Sequence, residues 1–461
     1  MGLQIRRPPA PRLAPHRRYF PIPRAEPSTS STGWGLYAGE PEACRRSLRQ
    51  FLPILAHLGA LVYLFVSYRV EGRGFQVLAG VALGALPIHY ALPLRWKRPF
   101  FVAASIVGLF LVFGGVAGVV VLLGAAALIA LASLPIRWGG RVALVAVAGV
   151  ALGFARVGRL LPGVPETAWI VLGSMFLFRM IVYLYETKHA EGRESPVDTL
   201  SYFFLLPNYA FLLFPVVDYR GLRRSHFARE VHATQAAGLR LMFQGTMQLL
   251  LYRVIYHQLA AGPESVRGFS TLVLYLVTNS FLYLHVSGQF HMACGMLHLF
   301  GYALPDTHRN YFLATSFTDY WRRINIYWKD FMVRVVFNPV AFRLKRRPEW
   351  VRLAVATVVV FGVTWVLHAY QSFWLKGTWG FSVPDAMFWG VLGALVLVNV
   401  QLDARKVRRC KSAAGPRHHA VALRLAKTAG TFATISVLWS LWSSPSLEDW
   451  LAMLRRGLAA G

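Results

Sequence analysis

The sequence predicts an all-α fold: a polytopic transmembrane helical bundle of about ten spans, with re-entrant or interfacial helices added. Three observations carry this expectation. Hydrophobic residues make up 56% of the 461-residue chain. Charged residues make up only 15%, where a soluble domain has about a quarter. Apolar runs of the roughly 20 residues that cross a bilayer recur along the whole length. The formal net charge is +29, but Arg and Lys fall in short connections between apolar runs, as anionic headgroups and the positive-inside rule favour. No compact basic soluble domain is left to hold nucleic acid, so none is expected as a partner. Cys44, Cys294 and Cys410 lie far apart and form no CxxC pair, which argues against a disulfide framework.

Residues 1–50 read as a cytoplasmic tail rich in Pro and Arg, without the apolar core of a cleavable signal peptide. N-terminal transmembrane helices fill 51–165. Spans are expected at about 51–68, 75–94 and 142–161, and the run 99–135 is too long for one helix. Gly114-Gly115 is its expected break. Basic clusters at Arg95, Lys97 and Arg98, and again at Arg137 and Arg141, follow even-numbered spans. That places them on the same cytoplasmic side as the amino end. The composition, rich in Ala, Arg and Gly, fits a bacterial inner membrane.

A core is expected over 166–402. It opens on a span at 167–186 and continues with 198–219, an apolar stretch broken by Pro207 and Pro215. Each proline removes a backbone donor, and a broken segment at membrane depth needs protein or a wet cavity around it. Residues 237–262 mix apolar side chains with Gln244, Gln248, Arg253, His257 and Gln258, a pattern for an interior or interfacial helix. Residues 268–304 hold a span plus a turn. Later spans are expected at 351–370 and 386–402. The last region, 403–461, holds a span at 420–442 and an interfacial helix near 447–459.

Two stretches carry chemistry. SFTDYWRRINIYWKDF, taken as a helix, sets Asp319 against Arg322 and Arg323 at i+3 and i+4, and sets Trp321, Asn325 and Lys329 four apart with Trp328 near the same face. Charges of both signs interleaved with rings suit a buried polar site better than a one-sided interfacial helix. The second stretch, 351–374, is a clear span with one ionisable residue deep in it, His368, flanked by Thr364, Trp365 and Ser372. A neutral imidazole is what a general base needs at neutral pH. His285, His291 and His298 are six and seven apart, and the six-residue step, about 240° net around a helix, keeps His285 and His291 off a common face. No HxxxH, HExxH, Walker A or GxSxG motif is present, and no metal is expected.

The order of these features resembles the MBOAT superfamily, the membrane-bound O-acyltransferases, over about residues 170–402. FRMIVYLYE at 178–186 is similar to the family's entry into its core. Ser316, Asp319, Tyr320, Trp321, Arg322, Arg323, Ile324 and Asn325 correspond to the serine, the acidic residue and the F-W-R-R-W-H run of bacterial members, and His368 in WVLHAYQSFW to the later family histidine. Asn325 stands where many polysaccharide- and teichoic-acid-acylating members carry His. Members acylating lipids and proteins in eukaryotes carry Asn there. The resemblance implies transfer of an acyl group from a thioester, with acyl-CoA the expected co-substrate, to a hydroxyl of a lipid, glycan or other acceptor, with no bound cofactor. His368 is then the base. Asn325 either donates to the carbonyl oxygen or orients a substrate. Trp321, Trp328 and Trp365 line the substrate passage or pack. Arg322, Arg323 and Lys329 meet phosphates or pair with Asp319 and Asp330. The alternative expectation is a transporter or lipid flippase using the same polar cavity.

Overall fold

The computed structural model describes residues 37, 39–160, 164–188, 194–211, 217–409 and 417–459. Most of the Arg-rich tail, Pro215 and Cys410 lie outside them. The described residues are helical throughout, apart from connections and one isolated bridge. Nine of these helices are long and apolar enough to cross a membrane. The chain is an integral, multi-pass membrane protein.

The first five spans are α1 (Leu48–Ser67), α2 (Arg73–Ala91), α3 (Leu94–Ala132), α4 (Trp138–Val157) and α5 (Glu166–Thr187). The 39 residues of α3 are two helices joined at a kink where Gly114 leaves helical geometry, at φ 80° and ψ −179°. That left-handed φ is open to glycine at no steric cost. Phe110 comes so close to Gly118 that a β-carbon there would lie 2.6 Å from its ring. Eight residues of straight helix would hold the two about 12 Å apart, so α3 folds back on itself and supplies two membrane passes. The most apolar window of α5 is 83% buried, against 11% for α4, which makes α5 the central helix of the bundle. Its residues Val171–Leu177 widen into a π-helical turn.

Helix α6 (Val231–Val254) is too polar to count among the nine, yet it is long enough to cross. It packs antiparallel on the second half of α7 (Phe269–Leu299), whose halves Phe269–Phe281 and Tyr283–Leu299 meet at Leu282. Glycines make that contact. A β-carbon on Gly238 would lie 2.7 Å from the Gly295 carbonyl oxygen, and one on Gly245 2.7 Å from that of Gly288. With backbone against backbone, dispersion supplies the attraction that the hydrophobic effect cannot supply between helices in lipid. Behind the glycines, Gln248 Oε1 and His291 Nδ1 bond across the pair at 2.6 Å.

Two short helices follow, α8 (Phe317–Arg323) and α9 (Ile326–Met332). The stretch expected as one helix is therefore two. Ser316 caps α8 by accepting from the Asp319 N–H at 3.1 Å. The chain turns between them at Ile324 and at Asn325, which is left-handed (φ 40°, ψ 65°) and caps α9. Three long helices complete the bundle, α10 (Glu349–Lys376), α11 (Val383–Arg409) and α12 (Arg417–Trp442). The amphipathic α13 (Leu447–Ala459) lays Met453 against Val266, Leu272 and Tyr275.

The glycine contacts predict a sharp contrast. Gly295→Ala forces a methyl group to within 2.6 Å of a backbone oxygen, an overpacking of the kind that costs about 1–3 kcal/mol. Gly59→Ala in α1 meets nothing within 4 Å. The melting temperature in detergent is expected to fall for the first and to hold or rise for the second; equal values would remove the close-packed seam from the account.

Candidate functional site

The polar stretch and the histidine-bearing span meet at one cavity of about 700 Å³. Asn325 and His368, 43 positions apart in the chain, both line it. A relay of hydrogen bonds joins them. The Asn325 Oδ1 accepts from the Trp328 backbone N–H at 3.2 Å. The Trp328 indole donates to Thr364 Oγ1 at 3.4 Å. The Thr364 carbonyl, one helical turn before His368, accepts from His368 Nδ1 at 2.9 Å. A carbonyl only accepts, so Nδ1 carries the proton and Nε2 is left as a lone pair. Asn325 likewise has its oxygen engaged, which leaves its Nδ2 amide as a donor.

Rings fix the imidazole further. Trp389 packs on it at 4.6 Å between centroids, Trp328 meets it edge-on at 5.2 Å, and Trp442 stands at 6.3 Å. Trp321 also lines the cavity. Trp365 does not. It sits behind the wall and donates its indole N–H to Asp385 at 2.5 Å.

The charged members of the polar stretch lie off the cavity. Asp319 and Arg323 pair at 2.8 Å, with the Thr315 N–H also donating to Asp319. Lys329 pairs with its neighbour Asp330. Arg322 is exposed. Among Asp319, Arg322, Arg323 and Lys329, all read from the sequence as substrate contacts, none reaches the cavity wall. The turn at Asn325 splits the expected single helix, so Lys329 no longer shares a face with Trp321 and Asn325, while Asp319 and Arg323 satisfy each other within α8. Arg334 anchors the stretch beyond it, bonding Glu186 at the end of α5 at 2.6 Å and also Asp218.

The cavity holds residues that the sequence did not single out. Asp385 is 8% exposed and lines the wall. So do Gln371 and Ser372 of α10, Trp389 of α11, Trp442 of α12 and Arg179 of α5, which is held by the Tyr202 and Phe203 carbonyls at 2.9 Å. An acid at the margin of an apolar run is a readable signal. Asp385 stands one residue before the expected span at 386–402. Among the described residues no group of three or more His, Cys, Asp or Glu side chains is arranged to hold a metal.

Compared with protein-family models and with curated proteins, the chain matches none.

Burial alone would raise the Asp319 carboxyl. The Arg323 guanidinium and the Thr315 N–H outweigh it and hold the group below the ordinary aspartate value. Such a carboxylate adds stability that is complete above its unfolded pKa of about 3.9 and is lost as pH falls through the lower folded value. The melting temperature of Asp319→Asn is expected to lie below wild type at neutral pH and to converge on it as the pH is lowered through the aspartate range. A gap that ignores pH would mean that the pair contributes nothing.

Proposed function

We propose that the protein is a membrane-embedded O-acyltransferase of the MBOAT kind, moving an acyl group from acyl-CoA to a hydroxyl. One observation carries the reading: a histidine with its Nε2 lone pair free and an asparagine with its amide donor free face the same cavity, in a chain whose motifs resemble that family. The acceptor oxygen attacks the thioester carbonyl carbon, and its proton passes to His368 Nε2. The carbon–sulfur bond breaks, and that proton leaves on the thiol. The carbonyl oxygen gains negative charge during attack, and the Asn325 amide is the donor placed to receive it. A cavity of about 700 Å³ falls within the usual size for small-ligand sites. The acceptor is a lipid, a glycan or another hydroxyl compound.

The orientation follows from the basic connections. Arg45, Arg46, Arg95, Lys97, Arg98, Arg137 and Arg141, and the Arg343–Arg347 turn, fall at one set of helix ends. We assign that side to the cytoplasm of a bacterial inner membrane, with the N-terminal end inside. The cavity rim at Lys376–Ser382 then belongs to the opposite side. Arg323 and Lys329 keep a structural part in this reading, through their ion pairs, and neither they nor the exposed Arg322 contacts substrate.

Labelled acyl-CoA and a panel of hydroxyl acceptors, given to the purified protein in detergent, test the proposal. His368→Ala is expected to lower turnover by about 10²–10⁴-fold. Asn325→Asp keeps an oxygen to cap α9 but has no N–H to give, so it is expected to lose about 10²–10³-fold with its melting temperature held. Thioester turnover that both variants retain would defeat the assignment. Solute uptake into vesicles without thioester consumption would establish a transporter instead.

A further inference from the structure

Asp385 is the only acid on the cavity wall among the described residues, and no cation pairs with it. Its partners are two indoles. Trp365 Nε1 donates to Oδ2 at 2.5 Å and Trp442 Nε1 to Oδ1 at 2.6 Å. These rings come from two other helices, α10 and α12, so one carboxylate ties three helices together. Its own backbone N–H is capped by Ser382 Oγ at 3.2 Å. The start of a helix favours an acid, which explains why a carboxylate is tolerated there. It does not explain why the side chain turns away from water toward two indoles.

All three elements converge on His368. Trp365 precedes it by three residues on α10, Trp442 stands 6.3 Å from its ring, and Trp389, four residues after Asp385, covers its face at 4.6 Å. Phe388 stacks on Trp442 at 4.9 Å and holds that ring in place. Buried among rings, a carboxylate acts over a longer range than it does in water.

We propose that Asp385 is a positioning residue for His368: it clamps the Trp365 and Trp442 indoles beside the imidazole and supplies the fixed negative charge that the imidazolium meets when His368 takes up a proton. The role is an addition to the acyl-transfer reading and rests on it. The other ionisable groups facing the cavity are Arg179 from α5, Lys376 from the end of α10, Tyr283 from α7 and Tyr320 from α8. Lys329 and Asp330 of α9 lie off the wall, and α12 brings no charged side chain to it. No other group on the wall can therefore supply that negative charge at neutral pH. Asp385 does not hydrogen-bond His368, whose Nδ1 belongs to Thr364. It acts through the rings and through space.

The test reads His368 directly. Diethyl pyrocarbonate modifies only neutral imidazole, and the rate at His368 is followed by mass spectrometry against pH in the full-length protein. In Asp385→Asn the midpoint is expected to move to lower pH, because the imidazolium has lost its counter-charge. Asp385→Glu, which keeps the charge, is expected to stay near wild type. Where Asp385→Asn does not give monodisperse protein, Asp385→Ser replaces it. In turnover, Asp385→Asn is expected to lose about tenfold or more in kcat with KM little changed, the mark of an interaction made in the transition state. An unchanged midpoint overturns the proposal whatever the turnover. The acyl-transfer reading fails separately, on wild-type protein that consumes no thioester.

Discussion

Thr364 holds the two halves of the site together. It is fully buried, and it uses both of its oxygens as acceptors: the carbonyl takes the His368 Nδ1 proton and the hydroxyl takes the Trp328 indole. The first bond sets the tautomer of the histidine. The second fixes α9, whose first turn is closed by Asn325. In a low-dielectric interior each of these bonds is stronger than it would be in water, and each unmet partner would be costly. The relay thus sets which nitrogen of one side chain and which end of another face the cavity. The carbonyl is common to every residue type, so it is the hydroxyl, serving Trp328, that makes threonine specific at this position.

That arrangement needs a rigid surround, and the chain builds one from three kinds of contact. Arg334 ties the end of the polar stretch to Glu186 and Asp218. Arg156 reaches from α4 to the Phe373 and Trp374 carbonyls near the C-terminal end of the histidine-bearing helix, and pairs with Glu166. The third contact is steric. The π-helical turn of α5 brings Gly173 against Trp374 so closely that a β-carbon there would fall 1.8 Å from the ring. Tyr370 donates to the Gly173 carbonyl at 3.2 Å beside it. The central helix therefore gives up regular geometry where the site helix leans on it. Such local widening is common near functional sites.

The spans were legible because hydropathy reports what faces lipid, and the expected apolar runs fall on long helices whose ends agree to within a few residues in most cases. The break at Gly114 was legible too, since an unbroken apolar run of that length has no other way to stay inside a bilayer. His368 and Asn325 could be singled out as polar groups at depth. Their convergence on one cavity rests on Thr364 and Trp328 meeting across helices, which no local pattern reports. The glycine seam was missed for a related reason. Gly238, Gly245, Gly288 and Gly295 repeat at seven residues within each helix, but only the pairing of α6 with α7 turns that spacing into a contact. Asp385 escaped because a window of apolar residues starts after it. The helix reading of 316–331 failed at Asn325, where a left-handed residue ends one helix and starts the next.

The ion pairs of the polar stretch stay outside the cavity, where Arg323, Lys329 and Arg334 meet Asp319, Asp330, Glu186 and Asp218; Arg179 and Lys376 reach its wall. The groups nearest His368 are rings and one carboxylate bonded by two indoles, while neutral amides and hydroxyls, with Arg179 and Lys376, line the rest of the wall. The guanidinium that does reach the wall, that of Arg179, is held by the Tyr202 and Phe203 carbonyls. A step that begins and ends with neutral groups, with charge only in between, needs few mobile charges, fixed dipoles, and one negative group where positive charge appears. The aromatic content of the polar stretch and of α11 and α12 is what makes that possible. Indole rings fill volume, exclude water and still offer an N–H to the few oxygens that need one.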